Sequence, residues 1–426
     1  MVLNVGIILA SIKGEENGEG CFFSNREDKY KEEYIMIDFS LTEEQKEFQK
    51  LAHEFAKNEI RPVAHIYDET EEFPSEIFRK AAKLGLTSFK FPEEYGGLGI
   101  NDPVTSMVIA EEIYWGCAGI AVTILGGTNL AGTSILVAGT EEQKKKYIPM
   151  FTDPDNPKLG AMGLTEPGSG SDVASMSTTA VRDGNEYVLN GTKQFITNGG
   201  IADIHVIFAQ TDKSKGWDGI GAFVVEKGTP GLQMGKKEQK LGVRASHTAQ
   251  VILEDCRIPL ENRLGGEEGS PSYITGLGAL KMLESTRPGV GAAALGIARA
   301  AYEYALEYAR ERKQFGKPII KQQAVSFKLA DMATEIDAAR LLIWRAAWMT
   351  RNELPYRRGE GSMAKLYAGD IGMKTTTEAI QILGGYGYIK DYPVEKWFRD
   401  AKIYQIWEGT AEIQRLVISR LLEKNG

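Results

Sequence analysis

Two stretches of the chain carry residue types whose spacing can do chemistry. Near the C-terminus, Ile406-Trp407-Glu408-Gly409-Thr410 sets an acidic residue between a bulky aromatic and a glycine. Apolar residues then recur at Ile413, Leu416, Val417 and Leu421, the spacing of a helix face. Glu408 therefore belongs to the turn before a helix that Thr410 can cap. A carboxylate held among groups such as Ile406 and Trp407 has a raised pKa and serves better as a base near neutral pH. An acidic residue ahead of a helix also complements the helix dipole, and this stretch alone leaves both readings open. The second stretch is Leu164-Thr165-Glu166-Pro167-Gly168-Ser169-Gly170-Ser171-Asp172. Its small residues let the backbone approach a planar or anionic ligand, and the Thr165 and Ser171 hydroxyls can donate hydrogen bonds. A plain polar turn looks the same. It is not a GxGxxG segment opening a helix, so it gives no ground for a nicotinamide cofactor.

The elements that must hold these stretches fall into three blocks. From Leu41 to about Lys158 the pattern is helical, with Phe48, Leu51, Ala52 and Phe55 on one face and further helices over 76–84, 107–114 and 130–137. From about Gly160 the chain turns to short strand-like runs at 187–190, 205–209, 221–226 and 250–253, separated by turns such as Asp183-Gly184. These predict a small antiparallel sheet or barrel. From about Leu280 helical spacing returns, clearest in Val325, Leu329, Met332, Ile336, Ala339, Ile343 and Ala346, the buried stripe of a bundle helix. Domain limits follow at 36–159, 160–272 and 273–426. Residues 1–35 stand apart: an apolar start, then mostly polar and charged residues, with Met36 placed as a natural start. They fit a disordered extension or a start assigned too early better than a targeting segment.

Composition narrows the function. The 426 residues, 42% hydrophobic, suffice for two or three domains with real cores. A net charge of −8 argues against a nucleic-acid partner bound through phosphates. Three scattered cysteines and four scattered histidines suggest neither a disulfide framework nor a metal site. The longest apolar runs fall short of a membrane span.

The segment from Ile406 to Arg415 resembles the catalytic segment of the acyl-CoA dehydrogenases, flavoenzymes that form an α,β double bond in acyl-CoA thioesters. The resemblance runs from about Met36 to Leu422 and includes the same helical, β, helical order. It implies an α+β multidomain fold: an N-terminal helical domain, a middle antiparallel β domain and a C-terminal four-helix bundle. It also implies that Glu408 abstracts the α-proton. Some members carry their base at the position of Thr286, in Leu283-Glu284-Ser285-Thr286-Arg287-Pro288. Threonine cannot serve and Glu284 is offset, which favours Glu408. That segment would line the CoA and acyl channel, with Arg287 on the CoA side.

The same resemblance implies FAD. Met162, Leu164, Thr165, Gly170 and Ser171 would lie along the flavin, Ser171 also touching acyl-CoA. Lys193-Gln194-Phe195-Ile196-Thr197-Asn198-Gly199-Gly200 is similar to the family's second flavin segment, with Phe195 stacking near the ring, Ile196 beside it and Thr197 at flavin N5. Trp is frequent at the position of Phe195. Arg312, Gln314, Phe315, Gln322, Gln323, Gln381, Gly384 and Gly385 would reach a neighbouring subunit's FAD, which implies a homo-oligomer, by family a homotetramer. Thr410 and Glu412 complete the FAD contacts; Trp407 and Gly409 join the substrate contacts. Electrons would pass to an electron-transferring flavoprotein; an acyl-CoA oxidase and a catalytically silent flavoprotein are the alternatives. Localisation would be cytoplasmic in a bacterium or archaeon, or the mitochondrial matrix in a eukaryote. The stretch Thr123 to Leu130 would bound the acyl pocket. Gly126, where medium-chain members carry a larger side chain, predicts a roomy deep end, and Trp407 a tight one near the thioester. That shape suits a medium straight chain or a ring-bearing acyl group better than butyryl.

Overall fold

The computed structural model describes residues 39–266 and 276–425, without the side chains of 276–285. The expectations for residues 1–35 and for the Glu284 side chain therefore lie outside the described residues. Met1–Thr42 and Glu43–Gly426 are separate units. The second holds the three expected blocks.

The first block is helical: α1 (Glu43–Phe55), α2 (Ala64–Thr70), α3 (Ser75–Lys83), α4 (Pro103–Gly116), α5 (Ala118–Leu125), α6 (Gly127–Ala138) and α7 (Glu141–Thr152). Local signals explain the starts. Asp102 caps α4 by accepting from Val104 N and Thr105 N, with Pro103 at the first helical position. Thr140 and Gln143 form a capping box at α7. Helices α4 and α5 are buried almost all round, which is why their sequence shows no polar face. Ala118–Ala138 is 21 residues long and apolar enough to cross a membrane, contrary to the sequence expectation. It is bent at Gly126, between α5 and α6, and mostly buried in the protein, the character of core helices.

The middle block is a seven-stranded sheet: β1 (Gly160–Gly163), β2 (Thr179–Asp183), β3 (Glu186–Thr197), β4 (Ile204–Gln210), β5 (Ile220–Glu226), β6 (Leu232–Lys237) and β7 (Thr248–Pro259). The order is β1-β4-β2-β3-β7-β6, with β5 also on β4. The main ladders are antiparallel, as expected. Strand β1 runs parallel to β4, and β2 meets β4 in parallel at one pair. Parallel neighbours need a long connection, and the β2–β3 excursion supplies it between β1 and β4. The strand-like runs lie within β3, β4, β5 and β7, while β1, β2 and β6 escaped the periodicity because they are short or end in polar residues.

The last block comprises α8 (Gly276–Glu311), a hairpin of β8 (Lys313–Gln314) and β9 (Lys317–Pro318), α9 (Gln323–Arg351), α10 (Glu360–Leu383), α11 (Val394–Ala401) and α12 (Ala411–Asn425). Helices α8, α9 and α10 pack on one another, α12 packs on α10, and α4 packs against α8 and α9. The stripe on α9 is buried from Leu329 to Ala346. Pro288 lies inside α8 rather than in its first turn, because the helix already starts at Gly276.

Candidate active site

Glu408 sits on a corner between a tight turn over Lys402–Gln405 and α12. Both Glu408 and Gly409 are left-handed, with φ of 49° and 91°. Gly409 has to be glycine: a Cβ would lie 2.6 Å from the Gln414 amide nitrogen. Gln414 Nε2 donates to the carbonyls of Glu408 (3.3 Å) and Gly409 (2.9 Å), and Lys365 Nζ donates to Gly409 O at 2.7 Å. Thr410 Oγ1 accepts from Ile413 N at 3.3 Å, capping α12 as expected.

The Glu408 carboxylate turns away from the helix and accepts from Thr286 Oγ1 at 2.9 Å. The first-turn position that complements the dipole belongs to Glu412. Burial pushes the Glu408 carboxyl above the ordinary carboxylate range. The Thr286 hydrogen bond and the charges of Lys365, Arg287 and Lys90 offset part of that rise. The expectation of a raised pKa stands, but its wall differs from the expected one. Ile406 is exposed to solvent. Trp407 packs edge-on against buried Tyr404 at 5.0 Å, and Tyr404 against Tyr114 at 6.2 Å. Both phenols are pushed up by burial first, with the Glu408 charge contributing. Arg287 Nη1 donates to Ser362 Oγ at 2.8 Å, so α8 and α10 meet beside Glu408.

A second group forms where β3 breaks its register. Lys193 faces Val251 and Ile196 faces Ala249, so Gln194 and Phe195 together oppose one residue of β7. This bulge puts Phe195 at φ 60° and leaves its ring 63% exposed, with Ile196 buried behind it. Gln194 N donates to Thr165 O at 2.8 Å, tying the bulge to the Leu164–Asp172 segment. Lys193 Nζ donates to Leu164 O at 3.2 Å and to Glu166 Oε1 at 2.7 Å. Glu166 also accepts from Ser177 N, Ser177 Oγ and Thr178 N, and lies near pKa 2: burial would raise it, but these donors outweigh that. Met162 ends up beside Ser134, whose hydroxyl donates to its sulfur at 3.7 Å. At Gly168 and Gly170 a Cβ would meet nothing within 4 Å, so this face is open. An exposed ring on a rigid bulge beside open backbone is a platform for a flat aromatic ligand.

The third group is separate. The β8–β9 hairpin turns at Phe315 and Gly316, φ 51° and 78°, and leaves Phe315 93% exposed. Arg312, just before it, lies 5.5 Å over the Tyr386 ring, next to Gly384 and Gly385. Gln322 precedes α9 and Gln323 is its first residue; Gln381 is exposed near the end of α10. No hydrogen bond described in the structure runs from this group to Phe195 or Glu408.

Gly126 needs a correction. It joins α5 to α6 at φ −93° and ψ −103°, and a Cβ there would lie 2.4 Å from Val122 O. The position is glycine because the backbone turns there, so its lack of a side chain is no evidence of a roomier pocket.

Lys365, Gln414, Tyr114, Tyr404 and Lys90 were not singled out from sequence. Tyr404 and Gln414 flank Glu408 in ordinary helical turns, while Lys365, Tyr114 and Lys90 reach it only through packing. Lys193 stands among mixed polar and apolar residues of β3, so its burial also shows only in the fold.

Three family descriptions match the chain in order: acyl-CoA dehydrogenase N-terminal domain over residues 42–154, middle domain over 161–256 and C-terminal domain over 277–422. The chain belongs to the acyl-CoA dehydrogenases. It is 46% identical over 383 residues to the short-chain specific acyl-CoA dehydrogenase of Clostridium acetobutylicum, covering 90% of this chain and 99% of that one. The solved butyryl-CoA dehydrogenase of Megasphaera elsdenii superposes with a TM-score of 0.85 at 44% identity, over 91% of this chain and 100% of that chain. A structure described as an electron transferring flavoprotein of Acidaminococcus fermentans gives the same TM-score and identity, over 91% and 99%. Acyl-CoA dehydrogenases are FAD-dependent flavoprotein oxidoreductases, and this chain is one. The open face beside Phe195 and the bared backbone at Gly168 and Gly170 fit a flavin ring.

Proposed function

We propose that the enzyme removes the α-proton of a short acyl-CoA with Glu408, giving the trans-2-enoyl thioester. The observation that carries this is the Glu408 carboxylate itself: desolvated, held by Thr286 and with a raised pKa, as a base near neutral pH requires. FAD, when bound, supplies the acceptor for the β-hydride. Met162, Leu164, Thr165, Gly170, Ser171, Phe195, Ile196 and Thr197 hold it from one side, with Thr410 and Glu412 at the start of α12. Arg312, Gln314, Phe315, Gln322, Gln323, Gln381, Gly384 and Gly385 hold the FAD of an adjoining subunit in a homotetramer, which accounts for their separation from Glu408 within one chain. Ser171, Thr286, Arg287, Trp407 and Gly409 contact the substrate, and the domain limits are 36–159, 160–272 and 273–426. The backbone N–H of Glu408 faces the thioester carbonyl and stabilises the developing enolate.

The sequence argument for a medium chain lapses because Gly126 is a backbone corner that says nothing about pocket depth, which leaves a short acyl chain as the reading. The short-chain relative points the same way. An electron-transferring flavoprotein is the proposed acceptor of the electrons. The test is anaerobic flavin reduction by butyryl-CoA, with Glu408→Gln as the variant. It keeps size but cannot accept a proton, so reduction should slow by at least about 10²-fold with FAD retained. Reduction near the wild-type rate would place the base elsewhere. Faster reduction by medium or aryl acyl-CoAs would restore the alternative substrate, and rapid reoxidation in air would favour an oxidase.

A further inference from the structure

The corner that carries Glu408 is unfavourable by itself. A glutamate in the left-handed region is sterically disfavoured, and here it adjoins a second left-handed residue, Gly409. Such a conformation persists only where its surroundings over-determine it. Gln414 supplies one restraint, but it stands on α12, the helix that follows the corner directly. The restraint from a different element is Lys365. It lies near the start of α10, is 1% exposed, and spends its ammonium on the Gly409 carbonyl at 2.7 Å rather than on a carboxylate. A buried lysine without a carboxylate ion pair is costly, so its place calls for a reason. Three residues earlier on the same helix, Ser362 accepts from Arg287, the neighbour of Thr286, which donates to Glu408. The start of α10 thus braces both sides of the base.

We propose that Lys365 is a positioning residue for the proton abstraction: it clamps the Gly409 carbonyl, keeps the Glu408–Gly409 corner left-handed and so aims the Glu408 carboxylate. This rests on Glu408 being the base. Lys365 touches no reacting atom. Its charge has a second effect. The groups facing Glu408 are Thr286 and Arg287 on α8, Lys365 on α10, Lys90 in the loop before α4, and the phenols Tyr114 and Tyr404. Those facing Lys365 are Glu408, Arg287, Asp370 and Glu412. Burial brings the Lys365 ammonium down to about 8, with Glu408 opposing the shift, so the two groups favour each other's charged form. Removing the cation leaves Glu408 harder to ionise.

The experiment is stopped-flow flavin reduction of the FAD-loaded holoenzyme by butyryl-CoA across pH, with Lys365→Met and Lys365→Gln. Lys365→Met should keep FAD and bind substrate within a few-fold of wild type. Its reduction should be slower by roughly 10²-fold, the scale of a displaced catalytic group, and the pH midpoint of the rate should move up. Lys365→Gln can still donate to Gly409 O, so it should recover much of the rate while keeping the raised midpoint. A lysine with only a structural role would lower stability or FAD content without moving the midpoint. Wild-type rate and midpoint in both variants overturn the proposal. If Lys365→Met does not fold, Lys365→Gln decides: a raised midpoint supports the role and an unmoved one overturns it. Glu408→Gln separates the two claims. If it is inactive while Lys365→Met behaves as wild type, only the Lys365 role fails; if it remains active, both fail.

Discussion

Replacing Lys193 by Met tests whether one buried ion pair holds the β3 bulge and the Leu164–Asp172 segment together. The side chains of Lys193 and Glu166 are 0% and 1% exposed, and they meet at 2.7 Å. Breaking such a pair from one side leaves a buried charge and costs about 3–5 kcal/mol. Glu166 keeps three donors, Ser177 N at 2.6 Å, Ser177 Oγ at 2.7 Å and Thr178 N at 2.9 Å. The lower end, about 3 kcal/mol, is therefore expected. Arg257→Ala is the control on the same sheet. Arg257 pairs with Asp183 and Glu186 at 3.0 Å each, but all three side chains are about half exposed, so solvent screens the pair and the loss should be small. Urea unfolding of the holoenzyme, followed by flavin fluorescence and circular dichroism, reads both. Lys193→Met should release FAD at clearly lower urea than Arg257→Ala. Acid adds a second reading. Glu166 is depressed from 4.5 to about 2 in the fold. Its contribution is thus present above 4.5 and lost as pH falls toward about 2. Without Lys193 the folded value lies nearer 4.5, so the contribution is smaller and its loss is complete at a higher pH. Equal urea midpoints for the two variants would refute the reasoning.

Two further outcomes follow from the same geometry. Glu408 has a raised folded pKa, so its contribution to stability is lost as pH rises through that value. Glu408→Gln should then be as stable as wild type or more so above pH 4.5, the gap closing below it; thermal melts across pH check this. Gly126→Ala forces a Cβ to 2.4 Å from Val122 O and should cost about 1–3 kcal/mol, read as a lower urea midpoint.

Much of this protein was legible in the chain because the signals were local. The three blocks follow from a switch of apolar period, and the α9 stripe is a packing face that any folded form must bury. Glu408, Gly409 and Thr410 announce a capped helix start from residue types alone. Other features needed the fold. The direction of the Glu408 carboxylate, toward Thr286 rather than the helix, depends on α8 passing beside α12's start, which no short-range pattern encodes. Lys365 reads as one more polar residue on a helix until α10 brings it under the Gly409 carbonyl. The sequence offers Phe195 as a ring-stacking residue only by resemblance, and the bulge against β7 that turns it outward exists only once the sheet has formed. Gly126 shows the opposite case, a glycine whose absent side chain suggested space while the backbone turn it makes leaves none for a Cβ. Periodicity records which face of an element is buried. Which element it is buried against, and which polar groups that contact brings within hydrogen-bond reach, are settled only when distant segments pack.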